Sequence, residues 1–231
     1  FTYGFNNKSD LYIKNYKLTL NKSEATFKIQ NKVFSVTTNL IGKFNLLNIA
    51  ASILCSIKLD IPIEIITESI KHLKNVPGRL EKYHCSNNNT IIIDYAHTPD
   101  AFQNIFENIY TLKEDNKKIF SIFGCGGNRD SSKRSKMAEI SEKYSNHTYI
   151  TNDNPRNENE DNIIADICIG FKRDNYTIIK NRRNAILEVL SKAKKSIILI
   201  LGKGVEKYQI IRNKKIPHSD IEIIKNCIDE N

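Results

Sequence analysis

Four short clusters of polar and glycine residues have the make-up to handle a charged small molecule. The first is Asp94-Tyr-Ala-His97-Thr-Pro-Asp100, where a carboxylate and an imidazole follow the apolar run Ile91–Ile93. The second, Phe123-Gly-Cys-Gly-Gly-Asn-Arg129-Asp130, has closely spaced glycines that let backbone amides approach an anion. Arg129 stands where the pattern G-x-G-x-x-G needs its third glycine, and no G-K-[ST] is present, so neither a dinucleotide fingerprint nor a P-loop is met. The third is Asp153-Asn154-Pro155-Arg156. Pro155 fixes its own φ and pushes Asn154 out of the helical region, so the loop is stiff, and Arg156 offers a planar fork that can grip a carboxylate with two hydrogen bonds. The fourth, Gly202-Lys-Gly-Val-Glu206, pairs permissive glycines with a carboxylate suited to an ammonium group. Taken singly, each cluster also reads as an ordinary turn: a helix cap with a surface His97, a tight loop with an exposed Arg129, a helix entry with a solvated Arg156, a surface turn.

The case for a site comes from the elements that carry the clusters. From residue 79 onward, apolar strands alternate with amphipathic helices. Strands are expected at Thr90–Ile93, Ile119–Phe123, His147–Ile150, Tyr176–Ile179 and Ile197–Leu201. Helices are expected near Asp100–Leu112, Ser132–Tyr144, Glu160–Phe171, Arg182–Ala193 and Asp220–Ile228. Such βα alternation implies an α/β fold with a mostly parallel, Rossmann-like sheet and helices on both faces. Ligands of such sheets bind beyond the carboxyl ends of the strands. All four clusters follow directly after strands, and therefore share one edge of one sheet.

The first 77 residues differ. Leu11–Ile13, Tyr16–Leu20, Ala25–Ile29 and Val33–Val36 read as short strands of a β-meander. Gly42–Ile57 follows as a helix with Phe44, Leu47, Ala51 and Leu54 along its apolar face, and Ile61–Leu73 as a second. Asn75-Val-Pro-Gly78 breaks this pattern, dividing the chain into domains at 1–77 and 78–231.

Composition narrows the class. Hydrophobic residues make up 40% of the 231, enough for a packed core. No apolar run approaches the ~18 residues of a membrane span, and the N-terminus does not have the pattern of a signal peptide. Five widely spaced cysteines without C-x-x-C argue against a disulfide framework or zinc site and fit a reducing cytoplasm. The net charge of +9 could mark nucleic-acid binding, but its lysines are scattered along a chain also rich in Asn and Ile and read better as a compositional bias; a mild positive field also suits anionic substrates.

The runs DYAHTPD (94–100), FGCGGNRD (123–130), DNPR (153–156) and GKGVEKYQ (202–209) resemble those of the Mur ligases, within them the members that handle diaminopimelate. GKFNLLN (42–48) and PGRLE (77–81) fit the same family in the same order. The resemblance implies that residues 1–77 are the tail of a central ATPase domain and 78–231 a C-terminal domain that brings an amino acid. It implies ligation of meso-2,6-diaminopimelate to UDP-N-acetylmuramoyl-L-alanyl-D-glutamate in cytoplasmic peptidoglycan synthesis, with ATP, Mg2+ and an acyl phosphate. The family's G-T-N-G-K-T/S loop does not occur in these 231 residues, so they are expected not to ligate unaided. Carried over residue by residue, the amino-acid site is Arg129, Asp153, Asn154, Pro155, Arg156, Gly202 and Glu206. Asn45, Asn48, Arg79 and Asp94 fall to ATP, and His97 to catalysis; no residue falls to a metal. Arg156 favours diaminopimelate over lysine, which lacks the distal carboxylate. Val205, Lys207 and Ser135 depart from the family's usual His, Asp and Pro. A lysine-adding Mur ligase, a folylpolyglutamate synthase and a non-catalytic Rossmann-like binding module are the alternatives.

Overall fold

The computed structural model describes residues 1–85 and 87–229. They form two compact units: Phe1–Asn75 with Thr111–Lys113, and Val76–Tyr110 with the chain from Glu114 onward.

The first unit is a four-stranded sheet of β1 (Tyr3–Gly4), β2 (Leu11–Leu18), β3 (Ser23–Ile29) and β4 (Lys32–Thr38), with helices α1 (Lys43–Lys58) and α2 (Ile63–Lys71). Strict alternation along β3 buries Ser23, Ala25, Phe27 and Ile29, as a half-covered strand requires. The two strands expected at 11–13 and 16–20 are one. A bulge between Ile13 and Asn15 resets the side-chain phase, which broke the alternation in the sequence, and Leu20 lies beyond the strand. Helix α1 buries Leu46, Ile49, Ala50, Ile53 and Leu54. Of the stripe expected from the sequence, Leu54 is buried, while Phe44, Leu47 and Ala51 sit at its half-buried margin.

The second unit runs through β5 (Glu81–His84), β6 (Thr90–Asp94), α3 (Pro99–Leu112), β7 (Lys118–Phe123), α4 (Lys133–Tyr144), β8 (His147–Ile150) and α5 (Glu160–Cys168). It continues with β9 (Tyr176–Ile178), α6 (Arg182–Lys192), β10 (Ser196–Leu201), β11 (Tyr208–Ile211), β12 (Lys214–Pro217) and α7 (Asp220–Asp229). Its six-stranded sheet has the order β5-β6-β10-β7-β8-β9. All neighbours are parallel except β5 and β6. This is the mostly parallel α/β sheet expected from the sequence, with helices on both faces. Ile122 and Ile200 face Ile186 and Val189 of α6 and Ile224 of α7. On the other face Phe123 meets Phe102 of α3 edge-on at 5.1 Å, and the Ser121 hydroxyl lies 2.7 Å from Ser141 of α4. Central β10, Ser-Ile-Ile-Leu-Ile-Leu, is buried at every position because both its faces and both its edges are covered.

Helix α5 ends at Cys168, short of the expected Phe171. Gly170 follows so close to α4 that an added Cβ would lie 2.1 Å from the Ser135 carbonyl oxygen, so only glycine fits there. Strand β5 and the β11–β12 hairpin were not foreseen. β5 is Glu-Lys-Tyr-His, half-buried at an edge, and β12 is exposed throughout, so neither carries an apolar pattern.

Candidate functional site

The loops after β6, β7, β8 and β10 meet over a cleft of about 300 Å³. That lies at the lower end of the usual size for small-molecule sites. The cleft presents the carboxylates of Asp153 and Glu206 and the cationic groups of Arg129, Lys133 and Arg156, with His97 and Gly202 beside them. It therefore suits a zwitterion: each sign of charge has an opposite to meet.

The loop after β8 owes its shape to two neighbours. Toward β11, the Arg156 amide donates to the Ile210 carbonyl at 2.9 Å, and Ile210 in turn donates to Asn154 Oδ1 at 2.8 Å. Arg156 has φ 54, a left-handed conformation uncommon outside glycine, and this turns its backbone to bridge Ile211. Toward the glycine-rich loop, the Gly127 amide donates to the Asn154 carbonyl at 2.9 Å, and Arg156 Nη1 donates to the Gly127 carbonyl at 2.9 Å. A Cβ on Gly127 would lie 2.0 Å from the Pro155 carbonyl oxygen, so only glycine permits this approach. Arg156 Nη1 is thus occupied, while Nε and Nη2 make no hydrogen bond among the described residues. They are one bidentate edge of the fork, free for a carboxylate.

Beneath the glycine-rich loop lies Arg134, 1% exposed. It grips Glu158 through Nη1 and Nη2 at 2.6 and 2.8 Å, reaches Asp166 at 2.8 Å, and donates to the Gly126 carbonyl at 3.3 Å. Glu158 Oε2 also accepts from the Asn128 amide at 2.8 Å. The hydrogen bonds from Arg134 hold the Glu158 carboxyl below its usual range. Arg134 went unnoticed in the sequence, because nothing in Lys133-Arg134 marks which of two adjacent cations is buried.

Lys203 was missed too, because a lysine between two glycines reads as a solvated side chain. Its ammonium is wholly buried, and its three donors go to Glu206 Oε2 at 2.8 Å, Asn154 Oδ1 at 3.1 Å and Asp153 Oδ1 at 3.4 Å. Glu206 Oε2 also accepts from Asn154 Nδ2 at 3.0 Å. Burial works to raise the Glu206 pKa, but the hydrogen bonds from Lys203 and Asn154 and the charges of Lys203 and Arg156 outweigh it and hold the carboxyl below its ordinary value. The sequence reading treats Glu206 as an anion awaiting a ligand; in the fold it already has a cation.

The residues expected in catalysis and at the nucleotide divide differently. His97 is exposed at the cleft, with Nδ1 2.9 Å from the Tyr95 carbonyl oxygen. A carbonyl only accepts, so Nδ1 carries the proton and Nε2 of the neutral ring is left as a base. Asp94 is buried, and its carboxylate accepts from the amides of Leu80 at 2.8 Å and Ala96 at 2.7 Å. Burial raises its pKa against those bonds and the Arg79 charge. Arg79 lies over the Tyr95 ring at 5.1 Å and does not line the cleft. Pro155 does not line it either. In the other unit, Asn45 Nδ2 donates to the Ile41 carbonyl at 2.8 Å and Asn48 Nδ2 to Asn45 Oδ1 at 3.2 Å. Among the described residues no cluster of three or more His, Cys, Asp or Glu is placed to hold a metal ion. No helix of the described residues is long and apolar enough to cross a membrane.

Residues 78–204 match the family model of the Mur ligase glutamate ligase domain, and residues 1–56 that of the Mur ligase middle domain. The chain is 40% identical to the UDP-N-acetylmuramoyl-L-alanyl-D-glutamate–2,6-diaminopimelate ligase of Bacillus cereus, over 98% of its own length and 46% of the relative's. It is 38% identical to the corresponding ligase 1 of Clostridium acetobutylicum, over 99% of its length and 48% of the relative's. A solved structure of such a diaminopimelate ligase superposes with a TM-score of 0.71 at 30% identity, covering 99% of this chain and 47% of that one. The chain spans about half the length of the curated relatives it matches. With its glutamate-ligase and middle-domain segments both matched in order, the chain belongs to the Mur ligase family.

Proposed function

We propose that this chain is the amino-acid-receiving half of a cytoplasmic ligase that joins meso-diaminopimelate to UDP-N-acetylmuramoyl-L-alanyl-D-glutamate in peptidoglycan synthesis. One observation carries this reading: a single cleft offers a free bidentate edge of Arg156 together with the carboxylate of Glu206. Diaminopimelate has an amino-acid head at each end, so the end that does not react still carries a carboxylate and an ammonium. Arg156 takes that carboxylate through Nε and Nη2, and Glu206 takes the ammonium. Arg129, exposed and without an ion pair among the described residues, meets a second carboxylate. Gly202 keeps the Asp153 carboxylate accessible, since a Cβ there would lie 2.8 Å from Asp153 Oδ2. His97 Nε2 takes a proton from the attacking amine.

ATP activates the other substrate as an acyl phosphate, and the roles of Asn45, Asn48, Arg79 and Asp94 toward it rest on motif agreement. Magnesium finds no ligand cluster among the described residues. The contribution of this chain is positioning: it holds a bound amine in a fixed orientation for attack.

Lysine supports the specificity argument by contrast. It lacks the distal carboxylate and would leave the Arg156 fork unpaired in a half-buried site, a cost that can reach roughly a thousandfold. Calorimetric competition between meso-diaminopimelate and lysine tests this. Arg156→Ala is expected to abolish the preference for diaminopimelate, and an unchanged preference would overturn the assignment.

A further inference from the structure

Three buried cations support the loops of the second unit, and two have structural work alone. Arg134 and Arg182 each pair with carboxylates outside the cleft and donate to a backbone carbonyl, that of Gly126 in the glycine-rich loop or of Leu201 at the end of β10. Lys203 differs, because both of its carboxylate partners line the cleft. Its Nζ has no exposed surface and no donor left over, so it does not itself contact a ligand.

We propose that Lys203 is a positioning residue that fixes Glu206 as the ammonium receptor of the cleft; this rests on the amino-acid reading above. Two features of the geometry support it. Lys203 and Asn154 both bind Oε2 of Glu206, while Oε1 makes no hydrogen bond among the described residues. The carboxylate is therefore held by one oxygen and presents the other. Asn154 is held in turn, because its Oδ1 accepts from Lys203 and from the Ile210 amide. Its amide can then only point Nδ2 at Glu206. Lys203 thus sets the rotamers of Glu206 and Asn154 through one hydrogen bond to each.

The second feature is charge. Asp153 and Glu206 share Lys203 as their hydrogen-bonded cation. The other charged or titratable groups facing Glu206 are Arg156, Arg182 and Tyr95 at longer range. Without Lys203, burial and the like charge of Asp153 both favour protonating one carboxyl. A protonated Glu206 loses its charge attraction for an ammonium. Lys203 leaves the group of three with one net negative charge, which matches a single ammonium.

Lys203→Met removes the cation at similar length, and Lys203→Gln keeps a donor without the charge should the first variant not fold. Two readouts are taken on the whole chain. Carbon-13 NMR follows the Glu206 carboxyl through a pH titration without ligand, and calorimetry follows meso-diaminopimelate binding from pH 8 to pH 6. The Glu206 titration is expected to move up by about one pH unit or more in the variant. Its affinity for diaminopimelate is expected to fall more than the wild type's between pH 8 and pH 6, about twofold if half of its Glu206 is protonated at pH 6. His97 is common to both proteins and cancels in the comparison. Unchanged Glu206 titration in the variant, or wild-type affinity with wild-type pH dependence, would overturn the role of Lys203. Failure of the wild type to bind meso-diaminopimelate would instead sink the amino-acid reading, and the ligand-free titration would still decide whether Lys203 governs Glu206.

Discussion

Replacing Arg182 by Met should destabilise this protein strongly at neutral pH and much less in mild acid. Arg182 and Asp220 have no exposed side-chain surface and meet in a two-pronged contact, Nε to Oδ1 at 2.9 Å and Nη2 to Oδ2 at 2.8 Å. Arg182 Nη2 also donates to the Leu201 carbonyl at 2.9 Å, directly before the Gly202 loop, and His218 Nε2 lies 2.8 Å from Asp220 Oδ1. Met fills a similar volume but leaves a buried carboxylate with His218 as its remaining side-chain partner. Breaking a buried pair in this way costs about 3–5 kcal/mol, and each kcal/mol moves the melting temperature of a chain this size by roughly 2–4 °C. The melting temperature should therefore fall by about 6–20 °C at pH 7. In the wild type, burial works to raise the Asp220 pKa, but the charge of Arg182 and the hydrogen bonds from His218 and Arg182 outweigh it and hold the carboxyl well below its usual range. The pair's contribution is thus present above the unfolded value of about 3.9 and is lost only as pH falls below it. In the variant burial is no longer outweighed, the pKa rises, and protonation relieves the buried charge as pH falls. The gap between the two proteins should be widest at pH 7 and visibly narrower at pH 5. Differential scanning calorimetry at both values reads it directly. A gap below 2 °C at pH 7, or one equal at the two pH values, would refute the reasoning.

Other perturbations separate the loop supports. Arg134→Met should cost less, about 1–3 kcal/mol, because Glu158 and Asp166 are 26% and 42% exposed and can rehydrate. It should also loosen the glycine-rich loop, seen as faster amide exchange at Gly127 and Asn128. Gly127→Ala drives a Cβ against the Pro155 carbonyl and is expected to cost about 1–3 kcal/mol; a wild-type melting temperature would mean the two loops are not held together as described. Burial pushes the Cys125 thiol up to about 12, so it should stay unalkylated by iodoacetamide at pH 8 until the protein unfolds, while the exposed Cys55 reacts in the native state; mass spectrometry of the labelled peptides distinguishes them.

Much of this protein was legible before its fold was known. Ile91–Ile93, Ile119–Phe123 and Ile197–Leu201 are apolar runs bounded by glycine or polar turns, and each is a buried strand. Three of the chemistry-bearing clusters follow those runs in the chain and the fourth follows His147–Ile150, so the topology of a parallel sheet alone brought them to one edge. The β11–β12 hairpin was not legible, because its half-buried and exposed strands owe their order to backbone bonds with Asn154 and Arg156 rather than to an apolar pattern.

The residue types of the site, a fork at 156 and carboxylates at 153 and 206, were determined by the sequence itself, since chemistry belongs to the side chain. The environment of each was decided by tertiary structure. Whether Lys203 and Arg134 lie in water or wholly buried, which oxygen of Glu206 is already taken, and which edge of Arg156 is free all depend on contacts between loops that the fold brings together. A charged side chain reads the same in a sequence whether solvated or dry. Only the fold removes the water, and with the water gone a counter-ion becomes obligatory.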